Sequence, residues 1–210
     1  MIINKNHWYD GLFYDKLIAP NQDKSYQIVK AIITANSSVL DAGCGTGRLA
    51  FQLIDKIKKY DGIDLSKRNI KVATKKLSKN YSNRISFHHA DISSFLKSNK
   101  SIYDFAVVSY VIHEINENER ENILLELSEY ANKIIIVDYP CSRHNVLWWY
   151  LNNTIEFAAG KTHFKNFKTY IANKGIHGLA EKTGLIIIKE ILNKPITTHI
   201  AVLSKRKNGE

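Results

Sequence analysis

The chain has 210 residues, of which 44% are hydrophobic and 24% are charged, and this ordinary globular composition excludes wholesale disorder. Its 30 Lys and Arg residues against 20 Asp and Glu residues give a formal net charge of +10, which is compatible with nucleic acid, an anionic membrane or an acidic small molecule as partner. Two cysteines cannot form a disulfide framework or a four-ligand zinc site. No apolar run approaches the roughly 20 residues of a membrane span or resembles a signal peptide, so we expect a soluble, cytoplasmic protein.

Apolar runs alternate with amphipathic segments along the chain. The short apolar runs predict seven strands, over residues 38–41, 60–63, 85–88, 105–109, 133–137, 185–191 and 198–203. Apolar residues at helical spacing predict helices over residues 22–35, 47–58, 66–79 and 116–132. The last two strands are separated only by residues 192–197, which include Pro195, so they should form an antiparallel hairpin. We therefore predict an α/β fold with a doubly wound, seven-stranded sheet that is mostly parallel, with helices on both faces and a C-terminal antiparallel hairpin.

The stretch between the fifth and sixth predicted strands is too long for one crossover helix. We predict an extra aromatic-rich helix over residues 145–158, a loop over residues 160–167 and the crossover helix over residues 168–182. This insertion either covers a substrate site at the carboxyl ends of the strands or only packs on the surface, and both alternatives stay open.

The most informative stretch is the turn after the first strand, which is Val-Leu-Asp-Ala-Gly-Cys-Gly-Thr-Gly at residues 39–47. Its three glycines permit a tight turn and let a ligand approach the backbone closely. A dinucleotide fingerprint would need glycine where Arg48 stands, and the Gly-Lys-Ser/Thr of a phosphate loop is absent. Asp41 would repel a pyrophosphate but suits a ligand with a cationic group.

This turn resembles motif I of the class I S-adenosylmethionine-dependent methyltransferases. Three further segments match that family in order and spacing, namely Asp-Gly-Ile-Asp-Leu-Ser at residues 61–66, Ala-Asp-Ile at residues 90–92 and Tyr-Asp-Phe-Ala-Val-Val-Ser at residues 103–109. The resemblance covers roughly residues 20–140. It implies a Rossmann-like fold, S-adenosyl-L-methionine as cofactor and methyl transfer as the activity.

The resemblance also implies which residues bind the cofactor. These are Asp41, Gly43, Gly45, Asp64, Leu65, Asp91, Ile92, Ser109 and, in the N-terminal segment, Tyr14. In the family, the carboxylate at the position of Asp64 holds the ribose hydroxyls. Asp91 would accept from the adenine amine, Ile92 would pack on the ring, and Ser109 closes the strand whose end faces the methyl-bearing portion. Residues 8–16, which are rich in aromatics, would fold over the cofactor as a lid.

Structural alternatives stand beside these roles. Asp64 could cap a helix or belong to a turn, and Asp91 could cap the next short helix through its side chain. The aromatics around Tyr14 could pack onto the sheet edge instead of forming a lid. Cys44 is interpreted as a small filler of the turn rather than a nucleophile.

Two histidines are the candidate catalytic residues on the acceptor side. Methyl transfer needs an aligned nucleophile and exclusion of water, and it needs a base only when the nucleophile must lose a proton. His113 follows the fourth strand and would act as a base or hydrogen-bond donor, or would position the next helix together with Glu114. His163 lies in the insertion. No metal is required, and His88 and His89 would point apart on a strand, so no metal site is predicted.

Residues 160–167 are distantly similar to an insertion found in a group related to the ubiquinone and menaquinone C-methyltransferases. This similarity and the neighbouring Trp148 and Trp149 favour a small-molecule acceptor, lipid-like or aromatic, with peripheral membrane contact as a further option. We expect a single domain over residues 1–210. It begins with an N-terminal lid and helix at 1–36, followed by a cofactor-binding core at 37–140. An inserted helical lid and crossover helix at 141–183 and a terminal hairpin at 184–210 complete it.

The basic charge supports rival hypotheses. Residues 55–84 and 161–210 each hold ten basic and three acidic residues, whereas residues 85–160 hold five basic and ten acidic ones. An RNA or protein methyltransferase could use the basic faces, and a non-catalytic cofactor-binding module is the second rival. The Asn/Asp-Pro-Pro-Tyr/Phe motif for base amines is absent after the fourth strand, so no specific nucleic acid is expected as partner.

Overall fold

The computed structural model of the protein describes residues 22–80, 82–141, 161–193 and 197–206, with the backbone alone at positions 79 and 80. The strands in this part of the chain are β1 (Ser37–Ala42), β2 (Ile57–Asp64), β3 (Ile85–His89), β4 (Tyr103–Ser109), β5 (Ala131–Asp138), β6 (Ile186–Leu192) and β7 (His199–Ser204). The helices are α1 (Asp23–Ile32), α2 (Arg48–Leu53), α3 (Lys67–Asn80), α4 (Ile92–Ser98), α5 (Glu117–Tyr130), α6 (Lys161–Ala172) and α7 (Gly175–Thr183).

The seven strands form one mixed sheet in the order β3-β2-β1-β4-β5-β7-β6. β1 pairs in parallel with β2 and β4, so that Val39 lies between Tyr60 and Phe105, and β2 pairs in parallel with β3. β7 is antiparallel to both β5 and β6. The predicted fold class, a mostly parallel Rossmann-like sheet with a terminal antiparallel hairpin, is therefore confirmed. The chain order reverses direction between β1 and β4, which is where open α/β sheets bind ligands.

Contacts group the described residues into two compact units, those up to residue 107 with 130–132 and residues 108–129 with those from 133 onward. In the first unit every residue of β1 is buried, as expected for a strand that pairs on both sides and is covered on both faces. α1 buries Tyr26 and Val29, and Arg48 at the start of α2 forms a two-pronged ion pair with Asp23 of α1. The single domain expected from the sequence stays a prediction.

In the second unit the core forms around β5 and β7. β5 is buried over residues 134–138 and β7 over residues 199–203, and Leu124 and Leu127 of α5 are buried as well. β6, at the end of the strand order, keeps most of its side chains exposed. No helix among the described residues is long and apolar enough to cross a lipid bilayer.

Two predicted helices have different bounds in the structure. The helix predicted over residues 47–58 ends at Leu53, because Ile57 begins β2 opposite Ser37 and is buried there. The loop predicted over residues 160–167 is wrong, since α6 is helical from Lys161 and carries Phe167 and Tyr170 on its buried side. The predicted crossover helix is divided between α6 and α7, with Lys174 in the left-handed conformation at the break. The helix predicted over residues 145–158 and the lid predicted over residues 8–16 lie outside the described residues.

Candidate functional site

The glycine turn between β1 and α2 adopts a backbone that only glycine tolerates well. Gly43, Gly45 and Gly47 have φ angles of 90°, 53° and 74°, in the left-handed region that side chains disfavour. The backbone nitrogens of Gly43 and Cys44 donate to the carbonyl oxygen of Ile63 at 2.8 and 2.9 Å. The turn is thereby fixed to the carboxyl end of β2.

Close packing adds a second reason for glycine at two positions. A Cβ atom on Gly47 would lie 2.4 Å from the Phe87 ring, and one on Gly62 would lie 2.9 Å from Sγ of Cys44. Cys44 is buried, and burial raises the pKa of its thiol well above the usual value. The thiol therefore stays protonated, in agreement with its interpretation as a filler of the turn.

Asp64, the predicted ribose ligand, lies against the glycine turn. Its Oδ2 accepts a hydrogen bond from the backbone nitrogen of Gly45 at 2.8 Å, and its Oδ1 accepts from Ser66 at 2.7 Å. The next residue, Leu65, accepts from Nε2 of His89 through its carbonyl oxygen at 3.1 Å. A carboxylate has about four acceptor positions, so the hydroxyls of a ligand can bind to it alongside backbone donors.

Asp41 lies deeper than Asp64. It is buried, accepts a hydrogen bond from the Tyr60 hydroxyl, and its Oδ1 has no hydrogen-bond partner among the described residues. Burial raises the pKa of Asp41 to about 7, the Tyr60 hydrogen bond lowers it, and the charge of Asp64 adds to the rise. An unsatisfied buried acceptor of this kind favours a ligand that brings a cation or a hydrogen-bond donor.

Asp91 and Ile92 occupy the turn that leads into α4. Oδ1 of Asp91 accepts from the backbone nitrogen of Ser94 at 2.8 Å, so the side chain caps the helix, which is the structural alternative considered for it. Hydrogen bonds from Ser94 hold the pKa of Asp91 below its usual value, so the carboxylate is ionised at neutral pH. Ile92 is the first residue of α4 and is partly exposed.

The candidate acceptor-side residues belong to the second unit. Ser109 closes β4 and is buried. Tyr110 follows it with a φ of 55°, an uncommon conformation for a bulky residue, and its backbone nitrogen donates to the carbonyl oxygen of Val137 at 2.7 Å. Its hydroxyl is 2.8 Å from Oγ1 of Thr198. The chain therefore turns sharply after β4, just before His113.

His113 is buried in an aromatic cluster. Its Nδ1 lies 2.6 Å from Oδ1 of Asp138, and its ring lies 4.9 Å from the ring of Tyr139 and 6.1 Å from that of Phe167, between centroids. Its Nε2 is 3.9 Å from Oε1 of Glu114. The imidazole is thus held at Nδ1 by Asp138 and is packed among aromatic rings.

His163 reaches the same carboxylate from α6. Its Nε2 lies 3.8 Å from Oε2 of Glu114, and its side chain is 12% exposed. The backbone carbonyl of Glu114 also accepts from the side-chain amide of Asn166 at 2.7 Å. The two candidate catalytic histidines, 50 residues apart in the sequence, therefore lie on either side of one carboxylate.

Sequence reasoning missed the residue that organises this cluster. Arg120 of α5 is buried, and its guanidinium donates to the carbonyl oxygens of Ile112, His113, Ile115 and Asn166 and to Oγ1 of Thr169. A lone Arg in an amphipathic helix gives no sequence signal of this role. Its position on the buried side, between Glu117 and Leu124, was the available clue.

Tyr14, Trp148 and Trp149, which the sequence places near the cofactor or acceptor, lie outside the described residues. Arg48, at the start of α2, forms its ion pair with Asp23 at 2.6 Å.

Known proteins resemble the chain in sequence as well as in fold. The methyltransferase domain family matches residues 33–189 of the chain. An uncharacterized RNA methyltransferase of Mycoplasma mobile is 27% identical over 99 residues, which are 47% of this chain. The match spans only 27% of that relative's length.

Two solved structures share the fold. One is a magnesium protoporphyrin IX methyltransferase from Synechocystis PCC 6803 with bound S-adenosylhomocysteine. It is 16% identical to this chain with a TM-score of 0.65, and the match covers 97% of this chain and 91% of that one. An O-methyltransferase of neocarzinostatin biosynthesis, in complex with S-adenosylmethionine and 2-hydroxy-5-methyl naphthoic acid, is 17% identical with a TM-score of 0.65, over 92% of this chain and 57% of that one.

Proposed function

Because this chain belongs to the methyltransferase domain family, we propose that it transfers a methyl group from S-adenosylmethionine to a small-molecule acceptor that is aromatic or lipid-like. The observation that carries the proposal is the left-handed glycine turn held against Asp64 by the bond from Gly45. The two similar solved structures, whose names state magnesium protoporphyrin IX and a bound naphthoic acid, support the aromatic class of acceptor.

The residues of the first unit fit this cofactor. The three glycines of the turn have no side chains to keep a nucleoside from their backbone, and Oδ1 of Asp41 is a buried acceptor that needs a donor. S-adenosylmethionine supplies an electrophilic methyl group on a sulfonium and carries both an ammonium group and ribose hydroxyls. We assign the cationic end to the surroundings of Asp41 and the hydroxyls to Asp64.

The other cofactor contacts follow the family resemblance. Asp91 and Ile92 would hold the adenine, with Asp91 keeping its cap on α4 through one oxygen. Leu65 would line the ribose pocket, Ser109 would face the methionyl portion, and Tyr14 would close over it.

On the acceptor side we propose different roles for the two histidines. His163 is partly exposed and close to Glu114, so it is the candidate to contact the acceptor and to remove a proton from a hydroxyl or amine. His113 is almost fully enclosed by Asp138 and aromatic rings, so it acts as a positioning residue that holds the turn after β4. Its effect on turnover would come through Glu114.

An RNA acceptor is the second candidate, because the curated relative is an RNA methyltransferase and the chain is basic. The net acidic stretch over residues 85–160, which contains the turn after β4, favours a small molecule over a polyanion. Salt dependence separates the two, since phosphate contacts make binding fall steeply as salt rises.

Two measurements test the proposed function. Isothermal titration with S-adenosylhomocysteine should show one saturable site, and no binding at millimolar concentration would overturn the proposal. Transfer of labelled methyl from S-adenosylmethionine to a cell extract should then place the label in an organic-soluble fraction. Label in a ribonuclease-sensitive fraction would support the RNA acceptor instead. His163→Ala should bind S-adenosylhomocysteine like the wild type but lose transfer.

A further inference from the structure

Three side chains of the second unit converge at a place that the proposed function does not use. Nε2 of His177 lies 2.7 Å from Oε1 of Glu190, and Nε2 of His199 lies 2.6 Å from the same oxygen. The three atoms lie within 4.8 Å of one another. His177, Glu190 and His199 are called the His-Glu-His cluster below.

The fold brings the cluster together through three elements. β6 and β7 are antiparallel with Glu190 opposite Ala201 and Leu192 opposite His199, so Glu190 and His199 are diagonal neighbours on one face of the hairpin. His177 comes from α7, and its ring lies 5.2 Å from that of His199 between centroids. All three ligands stand on regular secondary structure, which holds a site more firmly than a loop does.

A second observation points to a ligand. The His199 side chain is 5% exposed, and within the part of the chain that the structure describes its Nε2 has no hydrogen bond of good geometry, although it lies 2.6 Å from Glu190. A buried nitrogen that faces a carboxylate in this way is less well satisfied than buried polar atoms normally are. A cation between the nitrogen and the oxygen would satisfy both atoms.

We propose that the His-Glu-His cluster binds a divalent transition-metal cation of the zinc class. Two imidazole nitrogens and one carboxylate oxygen are a ligand set that zinc uses, whereas calcium and magnesium prefer oxygen ligands alone. Zinc binds such atoms at about 2.0–2.2 Å, so tetrahedral coordination would place them roughly 3.3 Å apart. The atoms need to separate by only part of an ångström, which the exposed Glu190 side chain allows.

The cluster leaves one side of the cation open. The side chains of His177 and Glu190 are 56% and 40% exposed, so water can complete the coordination. The bound cation would connect α7 to the β6–β7 hairpin and would stabilise the second unit by mass action. The site does not depend on methyl transfer. It differs from the expectation of no metal site. That expectation arose because the ligands are 13 and 9 residues apart in the sequence and match no metal-binding motif.

Titration of the purified chain with Zn²⁺ tests the site. We expect one equivalent to bind saturably, a rise in melting temperature with Zn²⁺ and no comparable response to Mg²⁺. Replacing Zn²⁺ by Co²⁺ should give the visible absorption of a tetrahedral nitrogen and oxygen site, without the thiolate band that binding at a cysteine would produce.

Matched variants decide the location. His177→Ala and Glu190→Gln change exposed side chains and should weaken Zn²⁺ binding by more than about tenfold, as loss of a ligand requires. Glu181→Gln, an exposed carboxylate on α7 outside the cluster, is the control and should bind like the wild type. Equal binding by all four proteins, or none by the wild type, would overturn the proposal.

Discussion

Nδ1 of His113 lies 2.6 Å from Oδ1 of Asp138, and the two side chains are 2% and 0% exposed. The backbone nitrogen of His113 also donates to Oδ2 of Asp138 at 3.2 Å, and that of Tyr139 donates to Oδ1 at 2.8 Å. Asp138 ends β5 and His113 follows β4. One buried carboxylate therefore fixes the turn after β4, and removal of either partner leaves the other polar group buried.

We expect His113→Ala to lower the free energy of unfolding by about 3–5 kcal/mol, because the buried Asp138 loses its imidazole partner. Asp138→Asn should cost less, since the amide oxygen still accepts one bond. Urea unfolding of both variants and of the double variant measures the coupling, and the double loss should be smaller than the two losses together. Strictly additive losses would show that the pair does not interact.

Glu129→Ala, which removes a surface ion pair with Lys205, is the control and should change the free energy of unfolding little.

Asp64→Ala should weaken binding of S-adenosylhomocysteine by about 10- to 100-fold or more, because the Gly45 nitrogen loses a charged hydrogen-bond acceptor and the proposed ribose ligand is gone. Isothermal titration measures the affinity, and circular dichroism checks that the fold is kept. Asp55→Asn, on an exposed turn with Lys30, is the matched control. Unchanged affinity in Asp64→Ala would leave Asp64 with only its turn-forming role.

Asp41 predicts an unusual dependence of stability on pH. Its pKa is raised from 3.8 to about 7, so between these values the unfolded chain releases a proton that the folded chain keeps. Asp41 therefore makes stability fall as pH rises from about 4 to about 7. Asp41→Asn should remove this dependence and be more stable than the wild type at pH 8, by about 4 kcal/mol at most.

Unfolding curves of the wild type and Asp41→Asn from pH 4 to pH 8 measure the difference between the two proteins, which cancels the contribution of groups that do not interact with Asp41. A difference that does not change with pH would contradict the raised pKa. The same variant should bind S-adenosylhomocysteine more weakly if Asp41 receives the ammonium group. Wild-type binding below pH 7 should release a proton, detectable in buffers of different ionisation enthalpy, whereas binding by the variant should not.

Gly184 and Gly47 both have a positive φ, and they separate the cost of backbone strain from the cost of a steric clash. Gly184 has a φ of 69°, and a Cβ atom added there would have nothing within 4 Å, so Gly184→Ala should cost only the strain of about 1–2 kcal/mol. Gly47 has a φ of 74°, and its Cβ would meet the Phe87 ring at 2.4 Å, so Gly47→Ala should cost about 2–4 kcal/mol. Thermal unfolding measures both, and equal losses would show that Phe87 moves aside freely. Only Gly47→Ala should also weaken cofactor binding.

Local sequence patterns predicted the parts of the site that depend on residues close together in the sequence. The glycine turn could be recognised because left-handed backbone demands glycine at those positions, and Asp64 because it ends the adjacent strand. The first part of α6, residues 161–167, was missed although Phe164, Phe167 and Tyr170 recur at three-residue spacing, because Gly160 and the polar residues after it favour a loop.

Tertiary partners could not be predicted in the same way. His113 and Asp138 are 25 residues apart and Asp41 and Tyr60 are 19 apart, and no periodicity links such pairs. Their contact depends on the strand order, in which β4 neighbours β5 and β1 neighbours β2. The raised pKa of Asp41 also depends on burial, and the sequence shows only that Asp41 lies in a strand.

Arg120 has a consequence for how relatives of this chain can diverge. Its guanidinium binds carbonyl oxygens of the turn between β4 and α5 and of α6. Inserting or deleting one residue in that turn would move these carbonyls out of reach and leave the buried Arg120 guanidinium without its hydrogen-bond acceptors. We therefore expect the turn to keep a constant length while acceptor preference changes by side-chain substitution on α6.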